Sequence, residues 1–130
     1  MKIKSLFLSA VVLLMIVFSA SGCFLDETSD NTPSGETIKI RVSGTSMEPT
    51  IHDGEIITVS CTDESYNYSV GEIIAFKINL TDDFYMVHRI ERKVNYTGRM
   101  GFITKGDNMD EEDEWVIYPE NIAGIYKKVY

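Results

Sequence analysis

Ile38, Ile40 and Val42 alternate with Lys39, Arg41 and Ser43, a period of two that gives an extended strand one apolar and one polar face. Five further stretches read as strands, by alternation or as short apolar runs rich in β-branched and aromatic residues. They are 55–60 (Ile56, Ile57, Val59), 72–78 (Ile73, Ile74, Ala75, Phe76), 84–94 (Tyr85, Val87, Ile90, Val94), 100–104 and 122–129. Turn signals separate them at Asp53-Gly54, Val70-Gly71, Thr97-Gly98 and Gly106-Asp107. No sustained stripe of helical period follows residue 37. The pattern predicts a small, mostly β, antiparallel domain over residues 37–130.

The N-terminal region has a different pattern. Residues 5–25 carry no charge, and as a helix they would extend about 31 Å, close to the hydrocarbon thickness of a bilayer. Lys2 and Lys4 precede this run and Asp26, Glu27 and Asp30 follow it, an arrangement that keeps the N-terminus inside and the body outside the membrane. Two readings compete. Residues 1–25 are a retained transmembrane anchor, which the length favours. Alternatively they are a signal segment ending at Ala20-Ser21-Gly22-Cys23, similar to a lipoprotein processing box with Ala20 in place of the usual Leu, and Cys23 is lipidated. Either tethers the body to the outer face of the cell membrane, with membrane lipid as a partner. Residues 26–36, DETSDNTPSGE, are polar and aperiodic and form a linker.

Charge and composition narrow the function. The net charge is −8, and because Lys2 and Lys4 are the only charges in the first 22 residues, the rest of the chain stands at −10. So acidic a body lacks the clustered Lys and Arg that phosphate recognition needs, which excludes nucleic acid as the expected partner. Two cysteines, Cys23 and Cys61, make no disulfide framework, and their pairing is disfavoured. Two histidines, His52 and His88, with scattered acids show no metal-ligand spacing, so neither metal nor cofactor is expected. Asn67, Asn79 and Asn95 begin glycosylation sequons and are read as loop asparagines without sugar.

Ser43-Gly44-Thr45-Ser46-Met47-Glu48-Pro49-Thr50-Ile51 places a serine in a turn between a glycine and a proline. Gly44 permits backbone that other residues resist, and Pro49 fixes its own φ. Such a turn presents a hydroxyl and leaves N–H groups free for a developing oxyanion. Later segments, Val87-His88-Arg89-Ile90 and Thr104-Lys105-Gly106-Asp107-Asn108, add a base and an acid.

In this order and spacing, these boxes, with Gly71-Glu72-Ile73-Ile74-Ala75-Phe76 between them, resemble type I signal peptidases over nearly the whole body. The resemblance implies a membrane-anchored β-rich serine endopeptidase that cleaves signal peptides from secretory precursor proteins. Bacterial members typically carry a lysine base where His88 stands, so the chain looks like the archaeal and endoplasmic-reticulum branch, which uses Ser and His. Lys77 and Lys93 are read as surface residues. Carried over residue by residue, the resemblance makes Ser46 the nucleophile and His88 the general base, a task suited to neutral imidazole. It puts acids at Asp107 and Asp113, with Asp113 favoured as the partner of His88 and Asp107 as support. Asp110, in the acidic run 110–114, competes for the partner role, and Met109 stands where the family often has a second Asn.

The oxyanion would be met by the Ser46 N–H. Gly44 occupies the position where some members carry a second donor, leaving Ser43, Thr45 or another backbone N–H. Met47 resembles the residue packing beneath the substrate cleft. His52 is read as a turn residue, and Trp115, Tyr118 and Pro119 as closing the core. One alternative is a specialised or inactive signal-peptidase-like lipoprotein that binds peptide without general processing. A self-cleaving β domain of the repressor type would need a lysine base and a DNA-binding segment, and neither is apparent.

Overall fold

A computed structural model of the chain describes residues 35–128. The anchor or signal reading of residues 1–25, most of the linker and Cys23 lie outside the described residues. All six expected strands form: β1 (Thr37–Arg41), β2 (Ile56–Cys61), β3 (Ile73–Phe76), β4 (Met86–Tyr96), β5 (Arg99–Lys105) and β6 (Ile122–Tyr126). They make one antiparallel sheet in the order β1-β2-β6-β3-β4-β5. A short 3-10 turn, Pro119–Asn121, leads into β6.

The run Ile73-Ile74-Ala75-Phe76 is buried throughout because β3 lies inside the sheet, between β6 and β4, with apolar groups on both faces. Its alternate residues divide between two clusters. Ile74 and Phe76 join Tyr68, Ile90, Phe102, Ile117, Ile122 and Ile125. Ile73 and Ala75 join Met47, Ile51, Ile57, Val59 and Val87. Burying one such aliphatic side chain contributes about 1.5–3 kcal/mol. In the first cluster the Tyr68 hydroxyl shares a 2.6 Å hydrogen bond with Thr62, and burial pushes its pKa up. Trp115 packs against this cluster, as expected of a core-closing residue.

β4 and β5 form a hairpin turned by Thr97 and Gly98, both at positive φ (53° and 81°), as a two-residue primed turn requires. A bulge between Ile90 and Arg92 breaks its register just beyond His88. Cys61 is buried at the end of β2 and is disulfide-bonded, its partner lying outside the described residues. This corrects the expectation of an unpaired cysteine: a tally of two gives no framework, yet one covalent link needs no framework.

Candidate active site

The Ser46 turn and the His88 strand are held together by their neighbours in the chain. Met47 follows Ser46 and Val87 precedes His88, and both belong to the second core cluster, Met47 being 1% exposed. Packing these two apolar neighbours in one cluster fixes where the polar side chains beside them emerge. The Ser46 hydroxyl lies 3.1 Å from His88 Nε2. On the other side of the ring, Nδ1 lies 2.6 Å from Asp113 Oδ2. An ionised carboxylate only accepts, so Nδ1 carries the proton and donates. Nε2 is then the free acceptor facing the serine hydroxyl. The His88 and Asp113 side chains are 6% and 11% exposed, which shields the pair from water.

The turn itself is braced at several points. Gly44 takes a φ of 101°, where a side chain would be strained, and its N–H donates to Asp53 Oδ1 at 2.8 Å. Asn108 N–H donates to the Ser46 carbonyl at 2.9 Å, and Asn108 Nδ2 donates to the Thr45 carbonyl at 3.1 Å. Gly106 lies against the same peptide: a Cβ there would stand 2.5 Å from the Ser46 carbonyl oxygen. The Gly106-Asp107-Asn108 loop is thus a brace behind the serine. The Asp107 N–H completes it by donating to Met47 Sδ at 3.4 Å.

Asp107 faces away from His88. Its carboxylate accepts from Arg89 Nε and a terminal Arg89 nitrogen at 2.8 and 2.7 Å, and from the Thr50 hydroxyl at 2.5 Å. It therefore ties β4 and the residues after β5 to the serine turn, a supporting position. Asp110 is exposed, and the acid at His88 is Asp113. His52 is exposed, 3.8 Å from Glu48 in the turn. Thr45 is exposed, whereas Met47 underlies the turn and offers almost no surface. Lys77 lies over the Tyr85 ring and Lys93 is exposed on β4.

Thr50 and Thr104 hold the two acids and carried no distinguishing signal in the sequence. The Thr104 hydroxyl donates to Asp113 Oδ2 at 2.6 Å. Their only clue is box position: Thr50 sits in the serine turn and Thr104 on β5, where a threonine is otherwise ordinary.

The Arg89 hydrogen bonds, chiefly, hold the Asp107 carboxyl below its usual 3.8, with Thr50 assisting and burial opposing. A depressed folded-state pKa stabilises the fold fully above the unfolded value and loses that contribution as pH falls through the folded one. Replacing Asp107→Asn is expected to lower the melting temperature near neutral pH by roughly 4–8 °C, about 1 kcal/mol, the part-exposed guanidinium keeping the effect modest. The difference from the parent should shrink towards zero below pH 3.8. Thermal unfolding of both proteins across that range checks it.

The Peptidase S24-like family matches residues 19–113. The signal peptidase complex catalytic subunit SEC11C of Homo sapiens is 36% identical over 100 residues, covering 75% of this chain and 49% of the relative. The subunit SEC11C of Canis lupus familiaris gives the same figures. The signal peptidase complex catalytic subunit SEC11 of Metarhizium acridum is 32% identical over 82 residues, covering 63% of this chain and 46% of the relative. The chain spans about half the length of the curated relatives it matches.

Proposed function

Because this chain belongs to the Peptidase S24-like family and is a type I signal peptidase relative of the endoplasmic-reticulum branch, we propose that it is a membrane-tethered serine endopeptidase removing N-terminal signal peptides from exported proteins. The observation that carries the reading is the unbroken relay from the Ser46 hydroxyl through the His88 ring to the Asp113 carboxylate. Ser46 Oγ attacks the scissile carbonyl carbon while His88 Nε2 takes its proton. The tetrahedral intermediate collapses to an acyl-enzyme, and the imidazolium passes the proton to the leaving amine. Water then repeats the sequence and frees the serine. Asp113 holds Nδ1–H in place and stabilises the imidazolium. The Ser46 N–H, which has no protein acceptor among the described residues, is available to the oxyanion.

The substrate enters as an extended strand beside β1, an edge strand that leads into the serine turn. Residues 1–25 anchor the domain, residues 26–36 are its linker, and the catalytic body lies on the extracytoplasmic face. A tethered enzyme then meets an anchored precursor at high effective concentration.

The test is to offer a secretory precursor to the full chain in detergent and to identify the products by mass. One cut is expected, after small residues at the first and third positions before it, and none with Ser46→Ala. An intact precursor would favour a peptide-binding relative without peptidase activity. Equal cleavage by Ser46→Ala would remove the nucleophile.

A further inference from the structure

We propose that Thr104 is a positioning residue that sets the basicity of the His88–Asp113 pair; the proposal rests on the peptidase reading above. Asp113 lies well beyond the end of β5, after a run of exposed residues, 108–112. A carboxylate on such a loop would ordinarily be mobile and solvated. Thr104 prevents this through two bonds. Its carbonyl accepts the Asp113 N–H at 2.9 Å, and its hydroxyl donates to Asp113 Oδ2 at 2.6 Å. Residue 104 thereby grips Asp113 by backbone and side chain together. Thr104 is itself immobilised, being 0% exposed and paired with Ile90 across the hairpin.

The hydroxyl bonds the same oxygen that receives the His88 Nδ1–H. Two donors on one oxygen share its negative charge, so each weakens the hold of the other. Satisfying a buried hydroxyl would explain one contact to any acceptor. The choice of this oxygen gives the contact a consequence for the imidazole. With the hydroxyl gone, the whole charge of Oδ2 acts on Nδ1–H, and the imidazolium is favoured. His88 then keeps its proton to higher pH and is less often available as a base. The ion pairs Asp107–Arg89 and Glu112–Arg92, on the same strand and loop, do not involve Thr104, and the substitution removes no partner of either.

The experiment compares the full chain with Thr104→Val and Thr104→Ser. The imidazole nitrogen signals of His88 are titrated by NMR, and kcat and KM are measured against pH on one precursor. Thr104→Val is expected to move the His88 titration up by about half a pH unit or more. It should lower kcat roughly threefold on the acid side of the titration, with kcat well above it and KM near the parent values. Thr104→Ser, which keeps the donor, should restore both. If the valine variant does not fold, Thr104→Ala is measured in its place, with the same expectations.

An unmoved titration overturns the proposal, whether kcat is retained or falls equally in the valine and serine variants. The titration needs no substrate, so the Thr104 proposal is judged even if the parent fails to cleave a precursor. That failure would count against the peptidase reading alone.

Discussion

Asp113→Asn is expected to lower kcat/KM for precursor cleavage by roughly 10³- to 10⁴-fold, about 4–5.5 kcal/mol of transition-state stabilisation, while the domain stays folded. The carboxylate forces Nδ1 to carry the proton, leaving Nε2 free to receive one from Ser46, 3.1 Å away. An amide can turn its NH₂ towards Nδ1 and favour the opposite tautomer. The ring then presents Nε2–H to the serine hydroxyl and has no lone pair for its proton. Neutralising the acid also removes the charge that stabilises imidazolium in the transition state. Kinetics on purified variants would check this, with unfolding curves to show that the loss is chemical. Asp110→Asn is the natural control, because Asp110 is exposed and His88 is held by Asp113. It should leave kcat/KM within about twofold of the parent, as surface substitutions usually do.

His88→Ala should cost more, at least roughly 10⁴-fold, because it removes the base and the route returning the proton to the leaving amine together. It also leaves Asp113 without its nitrogen partner, though Thr104 still bonds the carboxylate. Ser46 would remain on its braced turn, since its supports are Met47, Gly106 and Asn108 rather than the imidazole. The loss is therefore expected in kcat, with precursor affinity changing by no more than a few fold.

The strands were legible because alternation and turn residues are local signals. All six segments read from the sequence form strands, with ends displaced by residues such as Tyr85, expected in β4 but lying before its start at Met86. The insertion of β6 between β2 and β3 was not legible. It depends on contacts between distant parts of the chain, which no local period encodes. Ser46 and His88 stood out through the motifs around them. The acids were harder, since Asp107, Asp110 and Asp113 are chemically alike and crowded within one loop. What separates them is three-dimensional: Asp107 faces Arg89 and Thr50, Asp110 faces water, and Asp113 is gripped by Thr104 beside His88. The pairing of Cys61 escaped for the same reason, because a count of cysteines says nothing of their distance.

The proton transfer from Ser46 to His88 is tested most directly by following kcat/KM for one precursor against pH in the parent and in His88→Ala. In the parent, activity should climb as the imidazole becomes neutral and then level off. The alanine variant should retain only a trace of activity, without that plateau. A variant that reached the parent's plateau would contradict the assignment of His88 as the base.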